Sequence, residues 1–304
     1  MAYILDTAVY VGLFSLLAMS LNLEYGFTGL LNFGKVAFFM IGAYVSAMLT
    51  ISGAPYPVGL LGGMAASALA GLLMSLPALR LREDYLAIVM LVFGEVIRII
   101  LKNEIWIAGG PFGLTGIPPA LPLLRGIETE ELYIAINVVI IYGILLVTYV
   151  LLEMLVNSPF GRVLRGIRED EVATRCFGKN TLRYKAQIFA IGSAIAGIAG
   201  SLYAQYVGYT CTRMFMPIVT FTAMVMCILG GVANNRGSIL GALIMIGLER
   251  GTRIAKDYLS LPIDPSNMMY ILTGSLMVVF LLSRPSGVLK ENPVKSRRSK
   301  KGRA

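Results

Sequence analysis

Three places in this chain bring together residue types that could do chemistry. The first is Gly29-Leu30-Leu31-Asn32-Phe33-Gly34-Lys35, which fits G-x-x-x-x-G-K, the pattern of a loop that cradles phosphate. The match stops at Val36, where such a loop needs a Ser or Thr hydroxyl for magnesium, and apolar runs flank it instead of a strand and a soluble helix. It is therefore read as a coincidence. The second is a set of charges inside apolar sequence: Glu95 with Arg98, and Glu249 beside Arg250. Positions three apart share a helix face, and a charge within a membrane must pair or line a wet pathway. Both pairs are candidates for self-neutralising structural charges or for pathway residues. The third is the polar interval 158–185, with seven Lys or Arg (Arg162, Arg165, Arg168, Arg175, Lys179, Arg183, Lys185) against Glu169, Asp170 and Glu171.

The composition excludes much else. There is no histidine, so imidazole catalysis and His-ligated metals are ruled out. Cys176, Cys211 and Cys227 have no paired spacing, so neither a disulfide framework nor a metal site is expected. The net charge of +9 sits largely in 158–185 and in Arg284–Arg303, and reads as a membrane-surface signal, not a nucleic-acid one. No cofactor and no enzyme activity are expected of the chain.

The elements that position these residues follow from the uncharged runs. Of 304 residues, 57% are hydrophobic and only 14% charged, against roughly 25% charged in soluble domains. Residues 36–79, 132–152, 186–212, 214–235 and 265–283 carry no charge at all, and a helical crossing needs about 20 residues. The fold class is an all-α polytopic membrane protein with about nine crossings, eight to ten. The first run is read as a retained crossing ending near Leu23. Its glycine-rich sequel, 22–35, is read as a broken or re-entrant segment. Glu249-Arg250 leaves the eighth run only twelve uncharged residues, so that helix is expected to be short or to carry an intramembrane charge. The Lys/Arg distribution places 158–185, 80–84 and the C-terminal end in the cytoplasm and 102–131 outside. Residues 1–285 then form the membrane domain, containing the 158–185 loop, and 286–304 a basic cytoplasmic tail. Gly53–Gly62 echoes Gly231–Ala242, which suggests an inverted repeat.

Within 158–185 the punctuation is that of two short helices. Ser158 can cap the first with Pro159 at its first position. Asp170 can cap the second, and Gly178 can end it. Val172, Ala173, Cys176 and Phe177 give the second an apolar side able to lie against a partner.

Five stretches resemble the permease subunits of ATP-binding-cassette importers for branched-chain amino acids: Asn22–Tyr44, Tyr85–Arg98, Gly109–Pro118, Pro159–Tyr203 and Gly230–Ala242. The likeness covers about residues 20–285 and is closer to the second, longer of the two permease types. Lys35 stands where many members carry histidine. The resemblance implies that Gly161, Arg165, Ile167, Arg168, Glu169, Asp170, Ala173 and Gly178 form a coupling element that docks on a cytoplasmic ATPase. It also implies a second permease subunit, two ATPase subunits that hold the ATP, an extracytoplasmic binding protein and a multi-pass location in the cell membrane. Permeases for urea or short amides look very similar. An ion-gradient transporter would call for isolated membrane carboxylates, whereas Glu95 and Glu249 each have an arginine within three residues.

Overall fold

The structure, a computed structural model, describes residues 2–78, 81, 83–120, 130–259, 271, 274–275 and 287–291. Arg80, Arg82, the expected crossing over 267–282 except residues 271 and 274–275, and the tail beyond Glu291 lie outside the described residues. In chain order the helices are α1 (Ala2–Thr28), α2 (Lys35–Ile51), α3 (Tyr56–Ala78), α4 (Glu83–Asn103), α5 (Ile105–Ala108) and α6 (Glu130–Asn157). They continue as α7 (Pro159–Glu169), α8 (Glu171–Cys176), α9 (Thr181–Val207), α10 (Ile218–Gly230) and α11 (Asn235–Leu259). Two short 3-10 turns, Gly110–Phe112 and Thr212–Phe215, punctuate the loops. The one departure from an all-helical fold among the described residues is a two-residue ribbon. Leu114–Thr115 (β1) pairs antiparallel with Tyr209–Thr210 (β2). Strands this short carry no periodicity to read.

Four helices, α1, α3, α6 and α9, are long and apolar enough to cross a membrane, or five if the bent pair α10–α11 is one span. A polytopic membrane protein is the result, and the described helices do not by themselves give the expected count of about nine. α2, with 17 residues, is apolar but short. The chain bends by 118° between α10 and α11.

The centre is built on α1 and α9, which bury more of their surface than the peripheral α3 and α6. α2, α3 and α9 pack most closely, because small residues let the backbones touch. A Cβ on Gly42 would fall 2.3 Å from the Gly197 carbonyl oxygen, and one on Gly200 1.9 Å from that of Phe39. Serines hold this seam in register: Ser67 Oγ donates to the Phe38 carbonyl at 2.8 Å and Ser201 Oγ to that of Gly42 at 3.1 Å.

α2 and α10 begin side by side. The Val36 N–H donates to Thr220 Oγ1 at 3.0 Å, and the Phe33 and Phe221 rings lie 5.3 Å apart. Each short helix runs into a turn containing a positive-φ glycine, Gly53 or Gly231, and then a long helix. These are the two stretches that echo one another in the sequence.

Candidate functional site

The polar interval forms the two short helices its punctuation predicts. Ser158 has extended backbone and its Oγ accepts from the Phe160 N–H at 3.2 Å, which satisfies one of the donors a helix start leaves open. Asp170 ends α7 and begins α8, its Oδ1 accepting from the Ala173 N–H at 2.9 Å. Phe177 caps α8, and Gly178 follows in the left-handed region at φ +75°. Asn180 then caps α9 through the Arg183 N–H.

The eight residues grouped by resemblance divide into two sets. Gly161 and Ile167 are buried, and Arg165 and Arg168 are partly buried. All four hold α7 against the rest of the molecule. A Cβ on Gly161 would lie 2.0 Å from the Val156 carbonyl oxygen, so only glycine allows α7 to follow α6 so tightly. The Arg165 guanidinium lies over the Phe27 ring at 5.5 Å, and Arg168 Nη1 donates to the Gly26 carbonyl at 2.7 Å. The second set faces outward. Glu169, Asp170 and Ala173 line a groove of about 620 Å³ between α7 and α8, with Phe160, Phe177 and Tyr184 as its aromatic walls. Val172 is 71% exposed and Phe177 82%. Gly178 stands at the end of this surface, with open space where a side chain would be.

One residue at this site carries more than the sequence reading assigned to it. Glu171 accepts from Arg175 Nη2 at 2.6 Å, Thr181 Oγ1 at 2.8 Å and Lys185 Nζ at 2.7 Å, which ties α8 to the start of α9. Partial burial acts to raise its carboxyl pKa. The hydrogen bonds from Lys185, Arg175 and the Thr181 hydroxyl, with the charge of Lys185, outweigh that and bring it down to about 2. The Glu171–Arg175 spacing of four was a readable signal; the reach to Lys185 was not.

A second charged centre lies in the interior. Glu24, inside the 22–35 segment read as broken or re-entrant, sits in the penultimate turn of a continuous α1. The break is confined to residues 29–34. Lys35 Nζ meets Glu24 Oε1 at 2.6 Å, Asn32 Nδ2 donates to Oε2 at 2.8 Å, and both charged side chains are fully buried. Gly192 on α9 makes room for the pair, since a Cβ there would stand 2.2 Å from Glu24 Oε1. The same geometry settles the phosphate-loop pattern. Its lysine is bound to Glu24 and the Gly34 N–H donates to Asn32 Oδ1 at 3.1 Å. The lysine ammonium and this N–H are thus already committed within the chain.

Of the other charges, Glu95 and Arg98 form the expected ion pair on α4. Arg250 Nη2 also reaches across the fold to Asp6 Oδ2 at 2.8 Å, under the rings of Tyr10 and Tyr3, and Tyr206 OH donates to Asp6 Oδ1 at 2.6 Å. This satisfied pair lets α11 run past Arg250 to Leu259, so the helix is not short. Asp6 gave no local signal, because its partner lies at the far end of the chain.

Comparison with known proteins follows the same lines. The family model described as branched-chain amino acid transport system / permease component matches residues 3–281. The "Probable branched-chain amino acid transport permease protein LivM" of Methanocaldococcus jannaschii is 31% identical, over 94% of this chain and 93% of the relative. The "High-affinity branched-chain amino acid transport system permease protein LivM" of Escherichia coli is 33% identical, over 93% of this chain and 69% of the relative. The Escherichia coli protein named LivH, with the same printed description, is 25% identical over 91% of each chain. No solved structure matches. With the match to the family model spanning nearly its whole length, this chain belongs to the family of branched-chain amino acid transport system permease components.

Proposed function

We propose that this chain is one of two permeases of an ATP-driven importer, and that it carries leucine, isoleucine and valine across the cell membrane. The observation that carries the reading is the α7–α8 surface. It is a groove with aromatic walls and charged rims, beside two large apolar side chains left in solvent. Exposed apolar surface of that kind marks a protein contact, and a cytoplasmic ATPase subunit is the partner it suits. ATP hydrolysis then belongs to two such subunits, in keeping with a Lys35 already engaged by Glu24. Similarity to proteins named both LivM and LivH supports a second permease of related sequence as the neighbour in the membrane.

In this reading α7 and α8 lie in the cytoplasm, as their basic content favours. The binding protein delivers substrate to the opposite end. About nine crossings are made by α1, α2, α3, α4, α6, α9, α10, α11 and the apolar run 267–282. The α2–α3 and α10–α11 units are the matching arms of an inverted repeat. Transport is by alternating access, and the bound ATPase shifts the balance between two states through its different affinity for each.

Co-purification with the products of neighbouring genes, followed by reconstitution with the binding protein, tests this. Leucine-stimulated ATP hydrolysis is the expected result. Stimulation by urea and not by leucine would keep the architecture and change the cargo. Uptake driven by an ion gradient with no ATPase bound would refute the reading.

A further inference from the structure

The described part of the C-terminal end, residues 287–291, is packed on the helices. Residues 287–290 lie along the turn between α10 and α11. Val288 and Leu289 donate their N–H groups to the carbonyls of Leu229 and Gly230, both at 2.9 Å, and Asn234 Nδ2 donates to the Lys290 carbonyl at 2.9 Å. The backbones are in direct contact. A Cβ on Gly231 would stand 1.9 Å from the Leu289 carbonyl oxygen, and one on Gly287 2.5 Å from Gly231 Cα. Both glycines have positive φ, so the contact depends on glycine at both places.

The next residue reaches the coupling helix. Arg165 and Arg168, three apart on α7, share one face. Glu291 bridges them: Oε1 lies 3.2 Å from Arg165 Nε and Oε2 2.9 Å from Arg168 Nη2. The circuit then closes through α1. Arg168 also donates to the Gly26 carbonyl, and the Ala233 N–H of the α10–α11 turn donates to Asn22 Oδ1 at 2.9 Å.

We infer that Glu291 is a positioning residue for energy coupling, which ties α7 to the α10–α11 turn so that a displacement of the coupling helix moves the bent pair with it. This rests on the reading of α7 as the ATPase-docking helix. A bridge to two arginines is more than packing at a chain end requires, since the backbone hydrogen bonds of 287–290 already hold the strap in place. Without the carboxylate, α7 keeps only the indirect path to that turn through α1.

The test uses the whole transporter in proteoliposomes and reads substrate moved per ATP hydrolysed. Three variants are compared with wild type: Glu291→Gln, a chain ending at Pro293 and a chain ending at Ser286. Glu291→Gln is expected to assemble normally, yet to lower the transport-to-hydrolysis ratio by about two- to thirtyfold, the range by which single residues between two sites change their coupling. Its hydrolysis should depend less on the binding protein. The chain ending at Pro293 keeps the strap and should retain the wild-type ratio; the chain ending at Ser286 should lose it. An unchanged ratio in Glu291→Gln would overturn the inference, and the more so if removal at Ser286 blocks assembly, since the strap would then serve folding alone. Failure of the wild-type chain to bind any ATPase would instead overturn the docking reading, and this inference with it.

Discussion

Replacing Lys35 by Met removes an ammonium that is fully buried and 2.6 Å from Glu24, while keeping a side chain of similar length. The carboxylate is then left with Asn32 as its remaining close polar contact from this group. Removing one partner of a buried ion pair costs about 3–5 kcal/mol, because the other charge stays desolvated, whereas replacing both can be close to neutral. In a fold of this size the single change should lower the melting temperature by on the order of 10 °C. Glu24→Gln combined with Lys35→Met should recover most of that loss. Thermal unfolding of the detergent-purified chain, followed by size-exclusion fluorescence, measures both. Gly192→Ala attacks the same centre from outside, since the new methyl would stand 2.2 Å from Glu24 Oε1 and 3.0 Å from Lys35 Nζ. It should destabilise by a comparable amount, because the methyl displaces the carboxylate from Lys35. If Lys35→Met is no less stable than the double variant, the pair contributes nothing to holding α1, α2 and α9 together and the reasoning fails.

Other perturbations address the coupling region and the membrane charges. Gly178→Val places a β-branched residue at φ +75° in open space, so its cost of about 1–3 kcal/mol is conformational and should shift the end of α8. Uptake should fall while the amount of protein in the membrane stays constant, and wild-type uptake would remove this turn from the coupling element. Glu171 has a depressed folded-state pKa, so its stabilising ion pairs are fully present above the ordinary carboxyl range and fade as pH falls towards about 2. Amide protection over residues 171–181, corrected for intrinsic exchange, should hold from pH 7 to pH 5 and drop below about pH 4; a drop already at pH 6 would contradict the assignment. Glu95→Gln alone should reduce folded yield more than Glu95→Gln with Arg98→Gln, and the opposite order would show that the two residues do not act as a pair.

What could be read in the sequence was local. Ser158, Asp170 and Gly178 announce helix ends within a few residues of themselves, and the two helices form between them. What could not be read depended on partners brought in by the fold. An uncharged-run criterion stops the first helix at Leu23 because Glu24 is charged, yet α1 continues to Thr28 because Lys35 returns to meet that charge. The eighth run looks truncated at Glu249-Arg250 until Asp6 arrives from the other end of the chain. Glu291 reads as a lone acid among lysines and arginines, and its role emerges only once Arg165 and Arg168 are placed beside it. The resemblance grouped eight residues of one stretch, but it could not divide those that face the groove from those that anchor α7.

The α2–α3–α9 seam has a mechanical consequence. Backbones in direct contact leave no compressible layer between these helices, and the hydroxyls of Ser67 and Ser201 act as pegs that forbid axial sliding. Three helices joined this way form a plate that translates or tilts as a unit. A stroke of the machine is then taken up outside this plate, in helices such as α10 and α11 that do not belong to it. Spin labels on α3 and α9 should keep one fixed separation through the whole transport cycle, while a pair spanning the plate and α11 should show two.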